Sequence, residues 1–196
     1  MDKFPGREGG TWLGVNSRGK ISSLLNVLLS SAGYEQGKSG KGRGFLAVDY
    51  LKEDISAIEY LNNIAKSNDN YNKFNLVLLE PHGNKYEAFY YYHGDEPISI
   101  SDGVHGFGNC PINAPFIKVK KGIKSLEDII QDQDIDYLNE ENIVLLEEKL
   151  FSMMRNKEFN HPDPAIMKQG QGISENFLKE LSCTWVEERK SNYGSR

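Results

Sequence analysis

The stretch from Phe74 to Tyr92 constrains this chain more than any other part of it. Phe74-Asn75-Leu76-Val77-Leu78-Leu79 is a short, almost continuous apolar run, which reads as a buried strand. Pro81-His82-Gly83-Asn84 follows with turn chemistry, and Tyr86 to Tyr92 supplies the aromatic-rich return strand. A hairpin of this kind is only marginally stable alone, so the rest of the chain must provide further strands or helices to pack on it.

Thr11 to Val15 alternates as a strand, Asn16-Ser17-Arg18-Gly19 turns, and Lys20 to Leu29 returns, predicting a first hairpin. Ser30 to Gly44 reads as a loop, densest in Gly37-Lys38-Ser39-Gly40-Lys41-Gly42. Phe45 to Lys52 and Ile55 to Ile64 carry apolar residues at helical spacing, with Asp54 as the expected cap of the second segment. That segment is expected to stop near Ser67-Asn68-Asp69-Asn70. Two strand-like pieces flank Asp102-Gly103, the second ending at Gly106-Phe107-Gly108-Asn109.

Beyond these the chain changes character. Ser125-Leu126-Glu127-Asp128 has the form of a helix start, and Glu140 to Met154 reads as an amphipathic, core-packing helix capped by Asn139. Pro162-Asp163-Pro164 is expected to block regular structure, and Thr184-Trp185-Val186 resembles a late strand. Hairpins followed by helices in blocks predict α+β layering rather than a doubly wound sheet. With no internal repeat and no linker, residues 1–196 are expected to form a single domain.

Composition narrows the function classes. The net charge of −5 argues against generic nucleic-acid binding. No apolar run reaches the roughly 18–20 residues needed to span a bilayer, so no transmembrane segment is expected. Met1 to Gly6 has neither the apolar core of a secretory signal nor the basic amphipathic character of a mitochondrial presequence. Asp2 is not a myristoylation site, and the C-terminus carries no prenylation box. Two cysteines, Cys110 and Cys183, and the lack of a glycosylation sequon fit a reducing, cytoplasmic setting with thiols rather than a disulfide.

Few residues are candidates for chemistry. Ala32 to Ser39 loosely resembles a phosphate-binding loop, but Gly40, Gly42 and Gly44 oppose the helix that such a loop needs. A surface loop is the simpler reading, with Lys38, Lys41 and Arg43 as a basic rim for an anionic ligand. His82, His93, His105 and His161 show no tight metal-ligand spacing, and no metal is expected. Cys110, before Pro111 in a polar loop, is either a small buried thiol or an axial haem ligand. No Gly-x-Ser-x-Gly elbow is present. Asn26 and Asn109 each lie near a strand end, where an amide could donate to an oxyanion or simply make a turn.

Several blocks, in order over nearly the whole chain, carry a resemblance to a known family. Glu8-Gly9-Gly10-Thr11-Trp12-Leu13-Gly14 is the most specific, followed by Arg18-Gly19-Lys20, Leu25-Asn26, Gly42-Arg43-Gly44 and Tyr71-Asn72-Lys73-Phe74-Asn75-Leu76. Gly106-Phe107-Gly108-Asn109 with Pro115, then Pro162-Asp163-Pro164 and Tyr193-Gly194-Ser195-Arg196, complete the set. Together they resemble the transport and Golgi organisation protein 2 homologue family. Where that family has a small residue such as Ser, this chain has Gly108.

The resemblance implies a four-layer αββα sandwich similar to N-terminal-nucleophile hydrolases, here expected to lack the first and last strands. Those enzymes use an N-terminal nucleophile, often Cys, with its own amine as base. This chain has neither that cysteine nor the family's Asn-Arg-Asp-Glu tetrapeptide. The resemblance therefore implies no catalytic residue within the chain. It places Trp12, Asn26, Asn109 and Arg196 as pocket-lining candidates, beside the basic Lys38, Lys41 and Arg43. The function it implies is support of Golgi organisation and protein secretion, through haem trafficking or acyl-coenzyme A and lipid homeostasis. Haem or an acyl-coenzyme A-like molecule would be the ligand, and association with Golgi or mitochondrial membranes would run through partners. The alternatives are an amidohydrolase of the N-terminal-nucleophile class whose nucleophile lies outside this chain, and a fragment without independent activity.

Overall fold

A computed structural model describes residues 8–36, 42–67, 71–132 and 140–185. The chain divides into two compact units. The first comprises residues 1–103 and 107–115, and the second residues 104–106 and 116–196.

The first unit is built on a five-stranded antiparallel sheet in the order β1-β2-β3-β4-β5. The strands are β1 (Leu13–Val15), β2 (Ile21–Asn26), β3 (Phe74–His82), β4 (Lys85–Tyr92) and β5 (Ile98–Ile100). Register sorts their side chains. Ser22, Leu78 and Phe89 lie side by side, as do Leu24, Leu76 and Tyr91, and these rows face the helices. The helices on that face are α2 (Gly44–Lys52) and α3 (Ala57–Lys66), which contribute Leu46, Ala47, Tyr50, Tyr60 and Leu61 to the core. The alternate row, Leu13-Ser23-Val77-Tyr90-Ile98, occupies the opposite face. There Val77 and Tyr90 are buried at the centre, while Leu13 and Val15 on the edge strand β1 are 67% and 69% exposed.

The carboxyl end of α2 is held by the first β-turn. Arg18 donates to the carbonyls of Lys52 and Glu53 and to the Asp54 carboxylate. The buried Lys20 ammonium donates to the Glu53 and Ile55 carbonyls and lies over the Tyr50 ring. Cations at this end complement the helix dipole and satisfy carbonyls that the helix leaves open. The Arg18-Gly19-Lys20 block is thus a clamp on α2, and Gly19 supplies the positive φ of its turn.

Several expectations for this unit are corrected. Ser30 to Gly44 is not all loop, because α1 (Ser31–Gln36) is helical. Helix α1 occupies Ala32 to Gln36, the residues that a phosphate-binding loop needs as an open, non-helical turn, which argues against that reading, while Gly37 to Ser39 lie outside the described residues. The cap of α3 is Ser56, whose Oγ accepts from the Glu59 N–H, while the Asp54 carboxylate is taken by Arg18. Strand β3 runs on through Pro81 and His82, leaving a tight turn at Gly83-Asn84. Beyond Leu79 it has no β2 neighbour, and such an edge tolerates proline. Val104 to Asn109 forms no strand.

In the second unit, α4 (Ile117–Asp132) starts eight residues before the expected Ser125. The reason is remote in sequence: the buried Asp163 carboxylate accepts from the Ile117 N–H at 2.6 Å. The other Asp163 oxygen accepts from Ala165 and Ile166, capping α6 (Pro164–Gln169). Pro162-Asp163-Pro164 therefore starts a helix rather than blocking one, with Pro164 in the first turn where its missing N–H is harmless. Helix α5 (Glu140–Met154) has the expected bounds, but none of its described side chains is buried. Its apolar residues run round the helix, and Ile143, Val144, Phe151 and Met154 are exposed. It is not the core-packing helix expected. After α7 (Glu175–Leu181), Thr184 and Trp185 sit in a bend rather than a strand, and Val186 lies outside the described residues, as does Asn139. No helix among the described residues is long and apolar enough to cross a membrane.

Candidate functional site

Three family-like blocks of the first unit, Leu25-Asn26, Gly42-Arg43-Gly44 and Tyr71 to Leu76, meet at one corner of the sheet, where β2 ends, β3 begins and β4 ends, whereas Arg18-Gly19-Lys20 lies at the opposite end of β2. Asn26 pairs with Phe74 and Asn75 with Tyr92. The Val27 N–H donates to the Lys73 carbonyl, and the His93 N–H to that of Phe74. Arg43, immediately before α2, donates from Nη1 to the Lys73 carbonyl at 2.9 Å. The Thr11 N–H donates to the Gly44 carbonyl. A Cβ at Gly44 would lie 3.1 Å from Gly10 Cα and Thr11 N, which explains glycine there.

One side of this corner is closed by residues 107–112. Asn75, fully buried in the apolar strand, donates from Nδ2 to the Gly108 and Cys110 carbonyls at 2.8 and 2.9 Å. Its Oδ1 accepts from the Tyr90 hydroxyl at 2.6 Å, and the Tyr90 hydroxyl oxygen in turn accepts from the Ile112 N–H. Phe107 stacks on the Tyr90 ring. Burial pushes the Tyr90 phenol well above its ordinary range, so it stays a neutral donor. These side-chain bonds take the place of a strand ladder, which is why the expected strand before Asn109 does not form.

Basic and aromatic side chains lie on both faces of the corner, His93 with Phe74 on the face toward the helices and Lys73 with Tyr92 on the opposite one. His93 stacks on Phe74 with ring centroids 4.9 Å apart and meets Tyr71 edge-on. Lys73 Nζ lies over the Tyr92 ring. Burial lowers the His93 pKa, with the neighbouring Lys73 and Arg43 charges adding to the effect, which holds the imidazole neutral. Its Nδ1 is buried and has no hydrogen-bond partner.

The structure brings Asn26 and Asn109 together, as Asn109 Nδ2 donates to the Asn26 carbonyl at 2.6 Å. In this arrangement the amide joins the 107–112 loop to the end of β2. Cys110 is a buried thiol beside that contact. Arg43 lies at the corner, whereas Trp12 is 65% exposed beside β1, its carbonyl accepting from the Leu24 N–H. Lys38, Lys41 and Arg196 lie outside the described residues. Sequence reasoning missed Asn75, Tyr90, Lys73 and His93. The signal for Asn75 was present: an amide inside an apolar strand must have buried partners.

Comparison with known proteins accords with these blocks. The family model described as Transport and Golgi organisation 2 matches residues 1–196. The chain is 30% identical over 199 residues to the Transport and Golgi organization 2 homolog of Mus musculus, and over 200 residues to the Homo sapiens homolog. The Drosophila melanogaster Transport and Golgi organization protein 2 is 30% identical over 206 residues. Each match covers all of this chain and 68% of the relative. The chain belongs to the Transport and Golgi organisation 2 family.

Proposed function

We propose that this chain supports Golgi organisation and protein secretion from the cytoplasmic side, by holding an anionic ligand of the haem or acyl-coenzyme A class at the corner formed by Arg43, Lys73 and His93. The observation that supports the reading is that Arg43 binds the Lys73 carbonyl, with the Lys73 ammonium over Tyr92 and the His93–Phe74 stack close by in the sheet, where three of the family-like blocks meet. Cations on an aromatic wall suit a ligand with a charged head and an apolar body. Membrane association with Golgi or mitochondria would then run through partners. The sheet would form half of the αββα sandwich, a reading supported by its apolar and partly exposed second face. The alternative, an amidohydrolase of the N-terminal-nucleophile class, would draw its nucleophile from outside these residues.

Titration of the purified chain with palmitoyl-coenzyme A, and separately with haem followed by absorbance, tests the proposal. Saturable binding of one of them, weakened tenfold or more in Lys73→Ala and Arg43→Ala, is the expected result. A haem spectrum lost in Cys110→Ala would put the iron at that thiol. Absence of saturable binding by a folded chain for both ligands overturns the ligand reading.

A further inference from the structure

Helix α5 packs on α4, and Leu146, Lys149, Leu150 and Met153, which are half-buried, share one side of it. The Lys149 ammonium on that side is bonded to the Asp132 carboxylate of α4. A second apolar stripe runs beside it. At the helical repeat, Ile143, Val144, Phe151 and Met154 fall within about 100° of one another. All four are between 41% and 56% exposed. Large apolar side chains grouped in water mark an interaction surface. Two charges are set into the stripe, one turn on either side of Phe151. Glu147 and Arg155 are its i−4 and i+4 neighbours, so the three lie on one line along the helix, and both charged residues are exposed. Helical bonding reaches Arg155, whose N–H donates to the Phe151 carbonyl at 3.0 Å, and its guanidinium lies 5.3 Å from the Phe151 ring centroid.

We infer that this stripe is covered by a second copy of the chain, with α5 pairing antiparallel to its counterpart about a two-fold axis at Phe151. A two-fold contact makes each pairing twice. Centred on Phe151, it sets Glu147 of each copy against Arg155 of the other. The two Phe151 rings meet at the axis, with Val144 and Met154 to either side along the helix. A parallel pair would set Glu147 against Glu147 and Arg155 against Arg155, so charge selects the antiparallel pairing. An anionic lipid surface fits less well, because Glu147 stands within the stripe and Glu148 beside it. The helix is about 22 Å long, so the interface lies at the small end of specific contacts and forms at micromolar concentration. This pairing goes beyond the ligand reading and does not depend on it.

Sedimentation equilibrium of the full chain over about 1–200 μM tests the pairing. Far-UV circular dichroism first checks that each variant keeps the wild-type fold, which is expected because the altered positions are exposed. The wild type should show a monomer–dimer equilibrium, weakened about tenfold or more by Phe151→Ser. Glu147→Arg and Arg155→Glu should each leave a monomer, since each sets like charges face to face at two places. An equimolar mixture of these two single variants should recover the dimer, because opposite charges then face each other again, and the double variant Glu147→Arg with Arg155→Glu should do the same. A wild type that stays monomeric throughout overturns the inference. Self-association that is equal in the wild type and both single variants also overturns it, and places the contact elsewhere on the chain. Failure of both the mixture and the double variant to recover the dimer overturns it as well.

Discussion

Replacing Asn75 with Leu tests how the site is held together. Leucine has nearly the same volume, so packing within β3 is preserved, but three hydrogen bonds disappear at once. The Gly108 and Cys110 carbonyls lose their donor, and the Tyr90 hydroxyl loses its acceptor. Each buried group left unpaired costs about 1–3 kcal/mol, and partial access of water to the loop reduces the sum. The expected loss is about 4 kcal/mol, a large share of the roughly 5–15 kcal/mol typical of a domain. With a urea slope near 2 kcal/mol/M, the unfolding midpoint of the first unit falls by about 2 M. Tyr90→Phe removes only part of the network and should cost about 1–2 kcal/mol. In the double variant the two losses should fall well short of additive, because both act on one network. Far-UV circular dichroism in urea gives the midpoints, and hydrogen exchange at residues 108–112 gives the local effect. A loss below about 1 kcal/mol in Asn75→Leu, with the loop amides still protected, would refute the idea that this amide holds the loop.

Two further outcomes follow from the same kind of accounting. Asp163→Ala removes the acceptor for the first N–H groups of both α4 and α6, and should cost about 3 kcal/mol in urea unfolding. Asp163→Asn should recover little of it, because an amide must turn its NH2 toward one of those N–H groups. Stability should also depend on pH through His93, whose folded pKa is lowered by burial and then by Lys73 and Arg43. The unfolded chain binds the proton more readily, so this contribution is complete above the unfolded value of about 6.5 and is lost as pH falls below it. Between pH 7.5 and 5.5, the urea midpoint of the unliganded wild type should fall more than that of His93→Phe, and equal falls would contradict the assignment.

Local chemistry made some of this protein legible without any structure. The apolar run at Phe74, the Gly83-Asn84 turn and the aromatic return strand specify β3 and β4, because alternation and turn propensity act over a few residues. Helices α2 and α3 follow from their apolar spacing for the same reason. The motif blocks marked the family, and Arg43, Asn26 and Asn109 as residues of interest, though not what each of them touches.

What needed the tertiary structure were the places where a residue's partner is far away in sequence. The start of α4 is set by Asp163, 46 positions later, which no local capping pattern reveals. The absence of a strand before Asn109 is set by Asn75, 33 positions from Gly108, whose amide offers that backbone a competing set of bonds. The same holds for His93, an ordinary surface histidine by its neighbours in sequence. Its stack, its buried nitrogen and its two cations arise only when β3, β4 and the residue before α2 are brought to one corner. Desolvation and charge–charge forces depend on distance in space, and chain order carries no record of that distance.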